Sequence, residues 1–290
     1  MKQLIWLFLF ILILFGGDQA GGFLLQRLVD QSQFRYSRMY RGEAASDILL
    51  LGNSRGLIFY EPYIEQITGH KTFNISYNGL PIDAARALSA DYLDRYAGTR
   101  LLLIDITICD RENDALLSGF LSYTTHSPRL DALIRQKDRN TWNAGKVSAL
   151  FRFNNEIFQR ALFHRKKSDK DWLLDRVIDE KLAADAQNQS YDLDIHPYLL
   201  EQLKETVLAA QQKGVTVRLV ISPYFPGFTV KNLDVLKATI EKMTGLPVHD
   251  YRNALQDPGM FGDYMHPNKK GAEAYLDLLQ RDSVLSIPYQ

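Results

Sequence analysis

A single cysteine, Cys109, in 290 residues leaves this chain unable to form an internal disulfide or a cysteine-built metal centre. Charge of one sign is also lacking. The 34 Lys and Arg residues equal the 34 Asp and Glu residues, so the basic surface that duplex nucleic acid requires is not expected, and nucleic acid is set aside as a partner. Histidines are few. His70, His126, His164, His196 and His249 stand apart from one another and from any acidic cluster, so neither a metal nor a cofactor is expected, and a metal-dependent phosphodiesterase is set aside with them. Internal repeats and low-complexity stretches are absent too. Cys109 follows an apolar run, where a free cysteine reads as a core filler. What remains is an ordinary globular balance, 46% hydrophobic and 23% charged, sufficient for one sizeable core.

The first 21 residues differ from the rest. Lys2 precedes an unbroken apolar run from Leu4 to Phe15, followed by Gly16, Gly17 and Asp18. A positive residue before an apolar stretch is the layout of an export signal. Asp18 occupies a position where a small residue would be needed for cleavage. The expectation is therefore an uncleaved signal anchor, with a cleaved signal peptide as the alternative. Lys2 on the cytoplasmic side would place the remainder in the periplasm or outside the cell, anchored to the inner membrane. Residues 22–45, with Phe23, Leu24, Leu28, Phe34, Tyr36 and Met39 among charged neighbours, read as a linker helix into a domain over 46–290.

Short apolar runs then alternate with helical patterns. Asp47–Leu51, Lys71–Ser76, Leu101–Ile106, Val215–Ile221 and the weaker Leu246–Tyr251 read as strands, several of them apolar throughout, as strands buried on both faces of a parallel sheet are. Residues 82–96 and 268–280 have helical spacing. The alternation predicts an α/β fold: a three-layer α/β/α sandwich with a mainly parallel, doubly wound sheet. The stretch from about 110 to 195 breaks the pattern. It is polar, studded with aromatics, and reads as a helical insertion following the carboxyl end of a strand, where open α/β sheets bind their ligands.

Two loops carry candidate chemistry. Gly52-Asn53-Ser54-Arg55-Gly56 follows the first strand, a strand-to-helix turn that projects a serine hydroxyl from the sheet edge. Capping alone would also account for a serine there. Asp263-Tyr264-Met265-His266 precedes the last helix and sets a carboxylate and an imidazole three residues apart on the same side of the sheet. With Ser54 as nucleophile, His266 as base and Asp263 orienting it, the set would suit acyl transfer through a serine. Beside them, Arg55 is expected either to hold an anionic substrate group or to pair with a carboxylate of the domain. Tyr224, in Ser222-Pro223-Tyr224-Phe225, is expected to offer a substrate-binding aromatic surface.

In these blocks the chain resembles the SGNH, or GDSL-like, hydrolases over about residues 47–280. The resemblance implies a flavodoxin-like domain, Ser54, Asp263 and His266 as the catalytic set, and an oxyanion held by the N–H groups of Ser54 and of Gly79 in Asn74-Ile75-Ser76-Tyr77-Asn78-Gly79. Two departures stand out. Asn53 replaces the usual aspartate, and no Gly-x-Asn-Asp block follows the third strand, where Thr107-Ile108-Cys109-Asp110 is found instead. The third oxyanion donor is therefore Thr107, Asn78 or missing. The looser likeness to anchored envelope members implies an exported esterase or O-acyltransferase on an acylated glycan or lipid, working beside envelope polysaccharide biosynthesis proteins. The alternative is a non-catalytic binding or assembly protein with the same fold.

Overall fold

The computed structural model describes residues 2–287; Met1 of the expected anchor and residues 288–290 of the expected domain lie outside the described residues. The chain divides into two compact units, one comprising residues 44–113 and 170–290 and the other residues 1–43 and 114–169.

The first unit is an α/β fold. Among its described residues, five parallel strands form the main sheet: β1 (Ile48–Leu51), β2 (Thr72–Asn74), β3 (Leu101–Asp105), β4 (Thr216–Ile221) and β5 (Val248–Asp250). Their order is β2-β1-β3-β4-β5, the flavodoxin-like winding. Residues of both parities in β1 and β3 are fully buried, which explains why these strands read as unbroken Leu and Ile runs. Ile48, Leu50, Leu101, Leu103 and Val220 share one core with Ile64 of α1 (Glu61–Thr68) and with Ala272, Tyr275, Leu276 and Leu279 of α5 (Lys269–Arg281). Three further helices, α2 (Ile82–Arg95), α3 (Pro197–Gln212) and α4 (Leu233–Thr244), pack on one another in sequence, α2 on α3 and α3 on α4. A parallel pair, Ser190–Asp192 with Thr229–Lys231, forms a separate small ribbon.

Register decides where the loops meet. Leu51 lies opposite Ile104, and Asp105 opposite Val220. The carboxyl ends of β1, β3 and β4 therefore release their chains at one level, at the place where the order of winding reverses between β1 and β3, and open α/β sheets bind ligands at such a reversal.

The second unit is helical. Its first helix runs unbroken from Lys2 to Asp30, through Gly16 and Gly17, where the sequence suggested an anchor followed by a separate linker helix. Glycine pairs weaken a helix by only about 1 kcal/mol per residue, and the later turns of this helix are fastened to residues 148–164. Asp18 of the helix accepts from Ser148, Ala149 and Leu150, and beyond the helix end Ser32 Oγ donates to the Ala161 carbonyl, the Arg35 guanidinium pairs with Asp169 at 3.0 Å, and Tyr36 packs on Phe120 and Tyr123. Of the stretch expected as one insertion over 110–195, residues 114–169 thus share a core with the N-terminal region, while 170–195 belong to the α/β unit. The side chains from Leu4 to Phe15 are 40–72% exposed. The helix is long and apolar enough to cross a bilayer, and a membrane anchor or a signal sequence fits it.

Candidate active site

Ser54 opens a short 3-10 turn, Ser54–Ile58, directly after β1. The chain reverses tightly here. A Cβ on Gly52 would lie 2.7 Å from the Cα of Gly56, so Gly52 is needed for close approach of backbone, and one on Gly56 would lie 2.4 Å from Ser76 Oγ, crowding the Ser76 side chain. Asn53 caps the turn by accepting from Arg55 N at 3.0 Å, while its Nδ2 donates to the Thr107 carbonyl at 2.9 Å and ties the turn to the end of β3. From the other side, Asn74 at the end of β2 donates to the carbonyls of Gly56 (2.8 Å) and Phe59 (3.0 Å).

His266 lies in the loop before α5. Phe261 and Pro267 bridge across that loop, Gly262 N donates to the His266 carbonyl, and Asn268 caps the helix through Gly271 N. Here the loops converge: His266 Nε2 is 2.9 Å from Ser54 Oγ, and its Nδ1 is 2.8 Å from Asp263 Oδ1. With the proton on Nδ1, the ring donates to Asp263 and leaves Nε2 to accept from the serine hydroxyl. Asp263 Oδ1 also accepts from the backbone N–H groups of Met265 and His266, each at 2.9 Å. Burial alone would raise this carboxyl. The hydrogen bond and charge of His266 and the two backbone donors outweigh it and hold the group at about 2.

Gly79 is the third residue of a turn from Tyr77 to Leu80, closed by Leu80 N donating to the Tyr77 carbonyl. Its φ of +67° is the left-handed value that a type II turn requires at this place. Asn113 Nδ2 donates to its carbonyl at 2.7 Å and so fixes the peptide. Ser54, Asn78 and Gly79 all line one cavity of about 180 Å³, together with Asn53, Arg55, Leu80, Thr107, Asp110, Arg111, Tyr191, Tyr224, Met265 and His266. Thr107, one of the three alternatives for a further oxyanion donor, spends both its N–H and its hydroxyl on Asp105 Oδ1, at 3.0 and 2.5 Å.

No profile of a known protein family matches the chain, and no curated protein matches it. Among solved structures, a crystal structure of a candidate acylhydrolase from Bacteroides fragilis is similar to it, with a TM-score of 0.43 and 12% identity over 82% of this chain and 87% of that one. That likeness is too distant to carry chemistry from one chain to the other.

Two residues expected at the substrate have other partners. Arg55 is 2% exposed, and its guanidinium donates to the backbone carbonyls of Met265, Ser222 and Pro223. It also lies over the Tyr224 ring, 3.6 Å from the centroid. The residue fastens the serine turn to the loops after β4 and before α5, and it also lines the cavity. Tyr224 is 4% exposed, with its ring under this guanidinium and its buried hydroxyl without a hydrogen-bond partner. Burial raises its phenol above the ordinary value.

Other residues of the site had escaped the sequence reading. Asp105, fully buried at the end of β3, accepts from Thr107 through one oxygen and from the N–H and hydroxyl of Ser222 through the other, joining β3 to β4. The readable signal was an aspartate closing an apolar strand, where an unpaired charge would be costly. Asp110 receives the Tyr191 hydroxyl at 3.0 Å. Burial raises its carboxyl above the ordinary value, against the opposing pull of Arg111, the Tyr191 hydrogen bond and Arg55, with Asp105 adding to the rise.

Proposed function

We propose that this chain is a serine-dependent esterase or O-acyl transferase that acts on a short acyl ester of a polyhydroxylated, glycan-like partner. The observation that carries the reading is the hydrogen-bonded series Ser54 Oγ, His266, Asp263, at 2.9 and 2.8 Å. His266 would remove the hydroxyl proton as Ser54 attacks the acyl carbonyl, then return it to the departing alcohol, while Asp263 holds the ring and balances the imidazolium. The N–H groups of Ser54 and Gly79, with Asn78 beside them, would stabilise the oxyanion. Water or a sugar hydroxyl would then release the acyl group. Polar walls, from Asn78 to Asp110, Arg111 and Tyr191, suit a hydroxyl-rich acceptor better than a long lipid chain.

The N-terminal helix would hold the protein in the inner membrane with its other end in the periplasm, Lys2 lying on the cytoplasmic side. Such a placement would bring it to envelope polysaccharide biosynthesis proteins. The commitment of Thr107 to Asp105 favours a second reading, a non-catalytic binding or assembly module, because loss of one oxyanion donor costs roughly 3 to 4 kcal/mol of barrier in other serine enzymes.

The test is turnover of p-nitrophenyl acetate and of an acetylated sugar by the full chain in detergent, beside Ser54→Ala and His266→Ala. Activity in the parent that both variants lose supports the serine reading. A folded parent inert on both substrates would favour the binding module.

A further inference from the structure

Between Lys2 and Arg27 the first helix carries one charged residue, Asp18, at a depth where a lone carboxylate is costly. Its oxygens are fully engaged. They accept from Ser148 Oγ at 2.5 Å, Ala149 N at 2.6 Å and Leu150 N at 3.2 Å, capping the short turn that follows. One turn further on, the helix meets the same segment almost backbone to backbone. A Cβ on Gly22 would lie 2.4 Å from that of Ala149, and one on Gly21 would lie 3.0 Å from Leu150 Cδ2. Both halves of this contact lie within one compact unit.

A bilayer core of about 30 Å takes about 20 helical residues at 1.5 Å each. Counted from Lys2, the span ends at Gly21 and Gly22, against Ala149 and Leu150. The residues around that contact are apolar and uncovered: Val147 is 76% exposed, Leu150 42% and Phe151 41%. Lipid at the outer end of the span would reach these side chains and remove them from water.

We infer that Val147–Phe151 is a membrane-contact edge, held at the outer end of the span by Asp18 and resting in the lipid headgroup region. The inference rests on the reading of the helix as a span. It further requires that the helix stay attached, since cleavage beyond Gly17 or Asp18 would strip Ser148, Ala149 and Leu150 of their shared acceptor or of the helix that presents it.

The native thiol makes the test clean: Cys109 is fully buried and burial raises its pKa, so a new surface cysteine labels selectively. Full-length chains carrying an environment-sensitive fluorophore at Leu12→Cys, Phe151→Cys or Lys166→Cys are placed in lipid nanodiscs containing spin-labelled lipids. Quenching at 12 reports the span itself. Quenching at 151 severalfold above that at the exposed Lys166, and falling toward it when Asp18→Ala is added, is the expected result. Quenching at 12 with none at 151 overturns the contact edge, as does an Asp18→Ala variant with undiminished quenching at 151. Absence of quenching at 12, or a mature chain whose mass lacks the helix, overturns the span on which it rests.

Discussion

The two walls of the cleft are built to different specifications. On the side of Ser54, every position is over-determined: Asp263 Oδ1 takes three donors, Gly52 allows the serine turn to close on itself, and Asn53 and Asn74 anchor that turn to β3 and β2. On the side of Asp110, Arg111 and Tyr191, side chains meet from loops far apart in sequence, and Arg111 is 57% exposed. A reacting group gains from being fixed to within a fraction of an ångström, whereas a wall that receives an acceptor needs only complementary chemistry. Changes on the first wall should therefore act on turnover, and changes on the second mainly on binding and on charge.

The largest contrast should come from Asp263→Asn. The carboxylate fixes the tautomer of His266 and balances its charge, and an amide does neither; the equivalent change in another serine enzyme lowers turnover on the order of 10⁴-fold. Steady-state kinetics on the acetyl ester should show that loss in kcat with KM nearly unchanged. Stability supplies a second readout. Because the folded carboxyl titrates at about 2, below its unfolded value, its contribution is present above the unfolded pKa and disappears as pH falls through about 2. The stability gap between wild type and Asp263→Asn should thus close in acid. A gap that persists there would mean that packing, rather than charge, sets it.

Behind both walls, Arg55 should matter more to folding than to recognition. Arg55→Met keeps much of the volume but leaves the carbonyls of Met265, Ser222 and Pro223 without their donor. Loss of about 3 kcal/mol or more is expected, each stranded buried acceptor costing about 1 to 3 kcal/mol before relaxation. Denaturant unfolding should show a lower midpoint at an unchanged slope. Full stability with a raised KM would instead return Arg55 to the substrate side of the comparison.

What the sequence made legible was local. Strands β1 and β3 announce themselves as runs of Leu and Ile because both their faces are covered, and the alternation of such runs with helical spacing was enough for the α/β class and its parallel sheet. Ser54 and the Asp263/His266 pair were readable from their places at element ends. The supporting contacts were not, because they join residues remote in sequence: Arg55 with Ser222 and Met265, Asp110 with Tyr191, Asp105 with Ser222. Adjacency to Ser54 suggested that Arg55 met the substrate, and only the folding of the loops after β4 and before α5 onto the serine turn reveals that three carbonyls accept from it. The same holds for the N-terminal helix. Gly16, Gly17 and Asp18 look like an end, yet the donors at 148–150 that carry the helix past them lie about 130 residues away.

The smallest effect should be found on the second wall, and its sign is the informative part. The Asp110 carboxyl is raised by burial, so between its unfolded and folded pKa the folded chain binds the extra proton and stability falls as pH rises. Above that window the ionised group carries a cost that Arg111, Tyr191 and Arg55 only partly offset, with Asp105 opposing them. Asp110→Asn can still accept the Tyr191 hydroxyl through its amide oxygen while removing the charge. It should therefore stabilise the fold at neutral pH, within about 1 kcal/mol, and the gain should vanish below the ordinary carboxyl range. Thermal unfolding at pH 7 and in acid reads both signs, and kcat on the acetyl ester should hold. Destabilisation at neutral pH would show that the carboxylate is worth more ionised than burial costs it, which would make this wall as tightly specified as the one that carries Ser54.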